Sequence, residues 1–110
     1  MAAASDSRVG IDVERMSGRV LKAKRLYMSE EEQALVHESH LGEIEAAVRI
    51  WSIKEAVTKA LDILLADSWN RVQVRAVGQY ESSIQIDDKD PIKAVHDVVG
   101  RHVFTIVCCV

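Results

Sequence analysis

The sequence predicts an α+β fold in which an antiparallel sheet packs against one long central helix. Two observations carry most of this. From Ala46 to Leu64 apolar residues recur at helical spacing: Ala46, Ile50, Ile53, Val57, Ala60, Leu61 and Leu64 fall in one sector at about 100° per residue. From Arg71 to Val110 apolar and polar residues alternate instead. The alternation is broken at Gly78, at Asp87–Pro91 and at Gly100, the pattern of an antiparallel meander. A third observation, the alternation of Arg8–Glu14, adds an early strand to the same sheet. Helices in the first half and strands in the second make the class α+β rather than a repeat of βα units.

Taken in order, Met1–Ala4 fits a short strand or an unstructured start, and Ser5-Asp6-Ser7 a turn. In Arg8–Glu14, Val9, Ile11 and Val13 share one face and Gly10, Asp12 and Glu14 the other, as in a half-buried strand. Arg19 to Met28 fits a short helix. Ser29 with Glu32 three residues on forms a capping box, each side chain satisfying the other's backbone N–H, so a helix starts there and runs to about His37. Ser39–Gly42 breaks it, and the central helix follows from about Leu41 to Leu64.

On that helix Trp51, Glu55 and Lys59 form a second stripe at i, i+4 and i+8, roughly opposite the apolar sector. A tryptophan in a charged stripe, with Ile44 and Val48 beside it, points to a covered stripe and sets Glu55 and Lys59 in a cleft. The alternative is a solvated ion pair worth only about 0.2–0.5 kcal/mol. Four strands complete the chain: Arg71–Ala76, Tyr80–Ile86, Ile92–Val98 and His102–Val110. All 110 residues are expected to form one domain.

Composition narrows the function classes. With 48% hydrophobic and 28% charged residues the chain has the balance of a globular protein. A net charge of −3, with no basic cluster interleaved with aromatics, gives no footprint for nucleic acid. No apolar run reaches the roughly 18–20 residues that cross a bilayer, so no membrane partner is expected. The first residues lack the charged start and apolar run of a signal peptide. Cys108 and Cys109 are adjacent, so on a strand they point to opposite faces and cannot readily bridge. Reduced thiols and a cytoplasmic location are the expectation. His37 and His40 straddle a helix end without a third ligand and are read as surface residues.

The chemistry starts with Asp12 and Glu14. Two residues apart on a strand, they project from one face with about 6–7 Å between α-carbons, and like charges so placed repel. The face is either simply solvated or built for a hard divalent cation such as Mg²⁺, which takes a couple of carboxylates and completes its shell with water and phosphate oxygens. Glu55 is the natural third carboxylate. Lys54 and Lys59 beside it would offer point charges to phosphates. Together these residues describe a metal and diphosphate site.

Three segments also carry a resemblance: Val9–Glu14 (VGIDVE), Arg25–Glu32 (RLYMSEEE) and Trp51–Lys59 (WSIKEAVTK). In order and spacing they resemble the phosphopantetheinyl transferase superfamily. The resemblance implies transfer of the phosphopantetheine arm of coenzyme A to a serine of an apo acyl or peptidyl carrier protein. Asp12, Glu14 and Glu55 would ligate Mg²⁺. Glu55, or a water held by the ion, would take the serine proton. Lys54 and Lys59 would bind the phosphates, Lys59 also stabilising the charge that builds as the bond breaks. Trp51 is read as packing. Larger members have two similar halves with coenzyme A between them, and this chain matches the second half. A homo-oligomer, dimer or trimer, with sites between chains is therefore expected. The alternatives are a non-catalytic half-domain that binds a carrier protein or a partner half, and, more distantly, an unrelated Mg²⁺-dependent phosphate-handling enzyme.

Overall fold

In the computed structural model, which describes residues 8–109, the first strand pairs with the last rather than with the next. β1 (Arg8–Arg15) is followed by two single-turn helices, α1 (Arg19–Lys22) and α2 (Lys24–Tyr27), then by α3 (Glu30–Glu38) and the long α4 (Glu43–Leu61). A short α5 (Leu65–Arg71) leads into β2 (Val72–Ala76), β3 (Glu81–Ile86), β4 (Ile92–Val99) and β5 (His102–Cys109). The five strands form one antiparallel sheet in the order β1-β5-β4-β3-β2. This is the expected α+β arrangement, with α4 lying across β1 and β5. The segment Met1–Ser7, read above as a strand or loose start and a turn, lies outside the described residues, as does Val110.

The core forms where the apolar face of α4 meets the sheet. Ala46, Ile50, Ile53, Ala56, Val57 and Ala60 pack with Val72, Val74, Ile84, Ile86, Ala94 and Val107. Tyr27, Met28 and Val36 close one side. The capping box is present as expected: Glu32 N–H donates to Ser29 Oγ (3.1 Å), and Ser29 N–H to Glu32 Oε1 (2.9 Å).

Three boundaries differ from expectation. The central helix is shorter at both ends. It begins after Gly42, whose φ of 91° suits glycine, and stops at Asp62, which adopts the left-handed conformation (φ 54°). Ile63 N–H then bonds back to the Thr58 carbonyl (3.2 Å), so Leu64 is off the apolar sector and 74% exposed. The Arg19–Met28 helix is split in two at Ala23. Helix α5 was not expected, for it spans seven residues and has no side-chain cap to announce it.

The face of β1 turned to the helices is the polar one. Gly10 and Asp12 are buried against α4, while Val9, Ile11 and Val13 stand 55%, 54% and 46% exposed on the far side. There they line up with the outward face of the neighbouring strands, Ile11 opposite Ile106 and Ile106 opposite Val95, with Phe104 opposite Val13. The same side of β2 and β3 carries polar residues such as Gln73, Arg75 and Gln85. Inside, a buried polar row crosses the sheet. Ser82 Oγ lies 2.7 Å from His96 Nε2, and His96 Nδ1 2.9 Å from Thr105 Oγ1.

Candidate active site

Gly10 decides how closely β1 approaches α4. A Cβ there would stand 1.8 Å from the carbonyl oxygen of Ala56 and 2.7 Å from its carbon, so strand and helix meet backbone on backbone. Small residues Ala56 and Ala60 on the facing turns permit the approach. Two residues on, Asp12 is carried against the middle of the helix and is only 4% exposed. Its Oδ2 accepts from Ser52 Oγ (2.9 Å) and its Oδ1 from Lys59 Nζ (2.9 Å). Lys59 also reaches the Ile11 carbonyl (3.2 Å). Glu14, half-buried, accepts from the Trp51 indole N–H (3.2 Å) and lies on the same face of β1 as Asp12. The Trp51 ring stands edge-on to Tyr27, centroids 4.9 Å apart, and the Tyr27 hydroxyl donates to the Val20 carbonyl (2.8 Å).

Electrostatics tie Glu55 to this group. Burial, then the charge of Asp12, then the charge of Glu55, push Glu14 up to about 7; the Trp51 bond opposes. Glu55 is also raised, by burial and by Asp12, with Lys59 working against the shift. Lys59 is held above the ordinary lysine range, first by its hydrogen bond to Asp12 and further by the charges of all three carboxylates. Asp12, Glu14 and Glu55 thus share one electrostatic neighbourhood, relieved by the Lys59 ammonium and by a proton that Glu14 holds near neutral pH. Among the described residues no three His, Cys, Asp or Glu side chains stand as a ready cage round one point. By chemistry alone the three carboxylates are hard oxygen donors, the type that a hard cation takes. Glu55 is half-buried and Lys59 more than half exposed, so the stripe is partly covered, as a cleft edge would be.

Lys54 is elsewhere, which corrects its assignment to the phosphates. Its ammonium is 0% exposed, donating to Glu32 Oε1 (2.8 Å) and to the Tyr27 carbonyl. Glu32, equally buried, takes the Val74 N–H on its other oxygen (2.8 Å). The pair fastens α2, α3 and β2 to α4. Adjacent helical residues diverge by about 100°, and here Lys54 falls on the buried side of the helix while Glu55 falls on the partly open one; that spacing was the available signal. Sequence reasoning missed Ser52, and gave Trp51 packing alone where it also binds Glu14. Neither residue type announces such a contact, which depends on where β1 lies.

Beside Glu14 and Trp51 opens a cavity of about 770 Å³, lined also by Arg15, Arg19, Arg101 and Val20. Three guanidinium groups round a cavity that Glu14 also lines suit an anionic visitor.

A family model described as the 4'-phosphopantetheinyl transferase superfamily matches residues 8–107. The chain belongs to this superfamily. No curated protein matches it significantly. The resemblance drawn from the three segments is thereby borne out, and the α+β fold with its long helix is consistent with that of the phosphopantetheinyl transferases. Membership points to phosphopantetheine transfer as the general chemistry, and so to a transferase. The superfamily uses coenzyme A as substrate, typically with a divalent metal, and acts on carrier proteins. In this phosphopantetheinyl transferase-like chain the first of the three segments lies on β1 and the third on α4, in direct contact across Gly10.

Proposed function

We propose that this chain transfers the phosphopantetheine arm of coenzyme A to a serine hydroxyl of an apo acyl or peptidyl carrier protein, in a Mg²⁺-dependent reaction. The observation that supports it best is the seating of Asp12 and Glu14 against α4, with Lys59 on Asp12 and with Glu55 coupled electrostatically to both carboxylates. The three carboxylates would hold Mg²⁺, whose charge, when bound, offsets that of the diphosphate. Glu55, its affinity for protons raised, is suited to accept the serine proton. Lys59, exposed and cationic, would offset charge building on the leaving bisphosphate. Arg15, Arg19 and Arg101 offer the cavity rim to an acidic carrier protein or to coenzyme A phosphates.

The same proposal includes a homo-oligomer with sites between chains. The open apolar face of β1, β5 and β4 is what a second copy would cover. Its centre is Ile11, Ile106 and Val95. The free thiols of Cys108 and Cys109 suit the proposed cytoplasmic setting. The same open face also supports a second reading, a non-catalytic half-domain that docks on a different half.

Incubation with coenzyme A, Mg²⁺ and an apo carrier protein should add the arm, seen as a mass shift on the carrier. Glu55→Gln should abolish the shift and leave the circular dichroism spectrum unchanged. A monomer by light scattering that modifies none of several carrier proteins would overturn the transferase reading in favour of the half-domain.

A further inference from the structure

Two adjacent residues of α4 each hold a different carboxylate of β1. Ser52, wholly buried, donates its hydroxyl proton to Asp12 Oδ2 at 2.9 Å. Trp51 donates its indole N–H to Glu14 Oε1 at 3.2 Å. A serine inside a helix ordinarily returns its hydroxyl to the carbonyl one turn back; this one reaches across to the strand instead. The indole in turn is braced edge-on by Tyr27, whose own hydroxyl is tied to the Val20 carbonyl. The bracing reaches from α1 through α2 to the second carboxylate of β1.

We infer that Trp51 and Ser52 are positioning residues for the proposed cation site, each fixing one oxygen of a β1 carboxylate so that the pair is set before the cation arrives. The inference rests on the metal reading given above and adds to it residues that do not themselves touch the ion. The geometry shows how the two carboxylates are held side by side. Each is pinned by a neutral donor on the helix side, and Asp12 keeps its second oxygen on the Lys59 side, where Lys59 Nζ lies 2.9 Å away. Neutral donors suit this role. They orient a carboxylate without cancelling its charge, whereas a second lysine there would compete with the cation. Partners of this kind, one bond removed from a metal, typically contribute 10–100-fold in affinity.

The test uses the full chain and Mn²⁺ as probe, titrated by calorimetry and by the loss of the free-ion electron paramagnetic resonance signal. Ser52→Ala should weaken Mn²⁺ binding by about 10–100-fold, and Trp51→Phe, which keeps the ring against Tyr27, by about 10-fold. In the transfer assay both variants should raise the KM for the divalent ion and keep kcat at saturating ion within a few-fold. Should Ser52→Ala not fold, Trp51→Phe alone decides. Asp12→Asn separates the two levels. If it abolishes Mn²⁺ binding while Ser52→Ala and Trp51→Phe bind as tightly as the unaltered chain, the positioning role is overturned and the metal reading stands. If the unaltered chain binds no Mn²⁺, or Asp12→Asn binds equally well, the metal reading falls and takes the positioning role with it.

Discussion

Replacing Gly10 by alanine tests whether the close approach of β1 to α4 builds the site. The added Cβ would lie 1.8 Å from the Ala56 carbonyl oxygen, where a carbon and an oxygen normally rest about 3.3–3.6 Å apart. Strand and helix must therefore separate locally by roughly 1.5 Å, and both sides of the contact are backbone, which cannot rotate away. Overpacking of this kind costs about 1–3 kcal/mol, and a clash with backbone belongs at the upper end. At about 4–8 °C per kcal/mol for a domain near this size, thermal unfolding followed by circular dichroism should move down by roughly 10–20 °C. Asp12 sits two residues along the same strand, so its 2.9 Å bonds to Ser52 and Lys59 should break. A misplacement of about 1 Å can cost on the order of 100-fold in rate, and phosphopantetheine transfer, assayed well below the melting point, should fall at least that far. Gly18→Ala is the control. Nothing lies within 4 Å of the point its new methyl group would occupy, and its backbone is ordinary, so melting should shift by less than a few degrees. Gly10→Ala with unchanged melting and unchanged transfer would refute the idea that this contact seats the carboxylates.

Other outcomes follow from the same geometry. Lys54→Met leaves Glu32 charged and buried without its partner and should cost about 3–5 kcal/mol in denaturant unfolding, while Lys54→Met combined with Glu32→Gln should recover part of that loss. His96 is buried and faces the Arg49 charge, which together hold it down to about 4 against an ordinary 6.5. The unfolded chain then binds a proton that the folded one refuses, so stability present above pH 6.5 is lost as pH falls toward 4, by about 3 kcal/mol; His96→Gln should flatten that part of a urea-unfolding profile. Glu14 runs in the opposite sense. Raised to about 7, it binds its proton more tightly when folded, and its contribution is lost as pH rises from 4.5 through 7. Glu14→Gln should thus be more stable than the unaltered chain at pH 8, by about 1 kcal/mol after discounting for solvent screening, and should be inactive in transfer.

How much of this was legible in the sequence depends on how local the cause is. The capping box of Ser29 and Glu32 needs only four residues, and it is present as read. The period of 3.6 on Ala46–Ala60 and the period of 2 on the later strands come from burial of one face, and they too were readable. An alternating pattern, though, names two faces without saying which is buried. On β1 valines and isoleucine would suggest the wrong one; Gly10, the residue that permits contact with α4, was the tell. Asp62 ends α4 in a conformation that glycine usually takes, so Leu64 looked helical. The partners of Lys54 and the hydroxyl of Ser52 are tertiary facts. Glu32 and Asp12 lie 22 and 40 positions away, and no pattern in either segment points to them.

The pairing of β1 with β5 has a consequence for how the molecule comes together. Asp12 faces Thr105 across that ladder, so β1, which carries Asp12 and Glu14, acquires its neighbour only when β5, far along the chain, is available. Pairings between such distant stretches are costly in chain entropy and form slowly. A growing chain on the ribosome would therefore have its helices and the β2–β4 meander before β1 had the neighbour that holds Asp12 in the sheet.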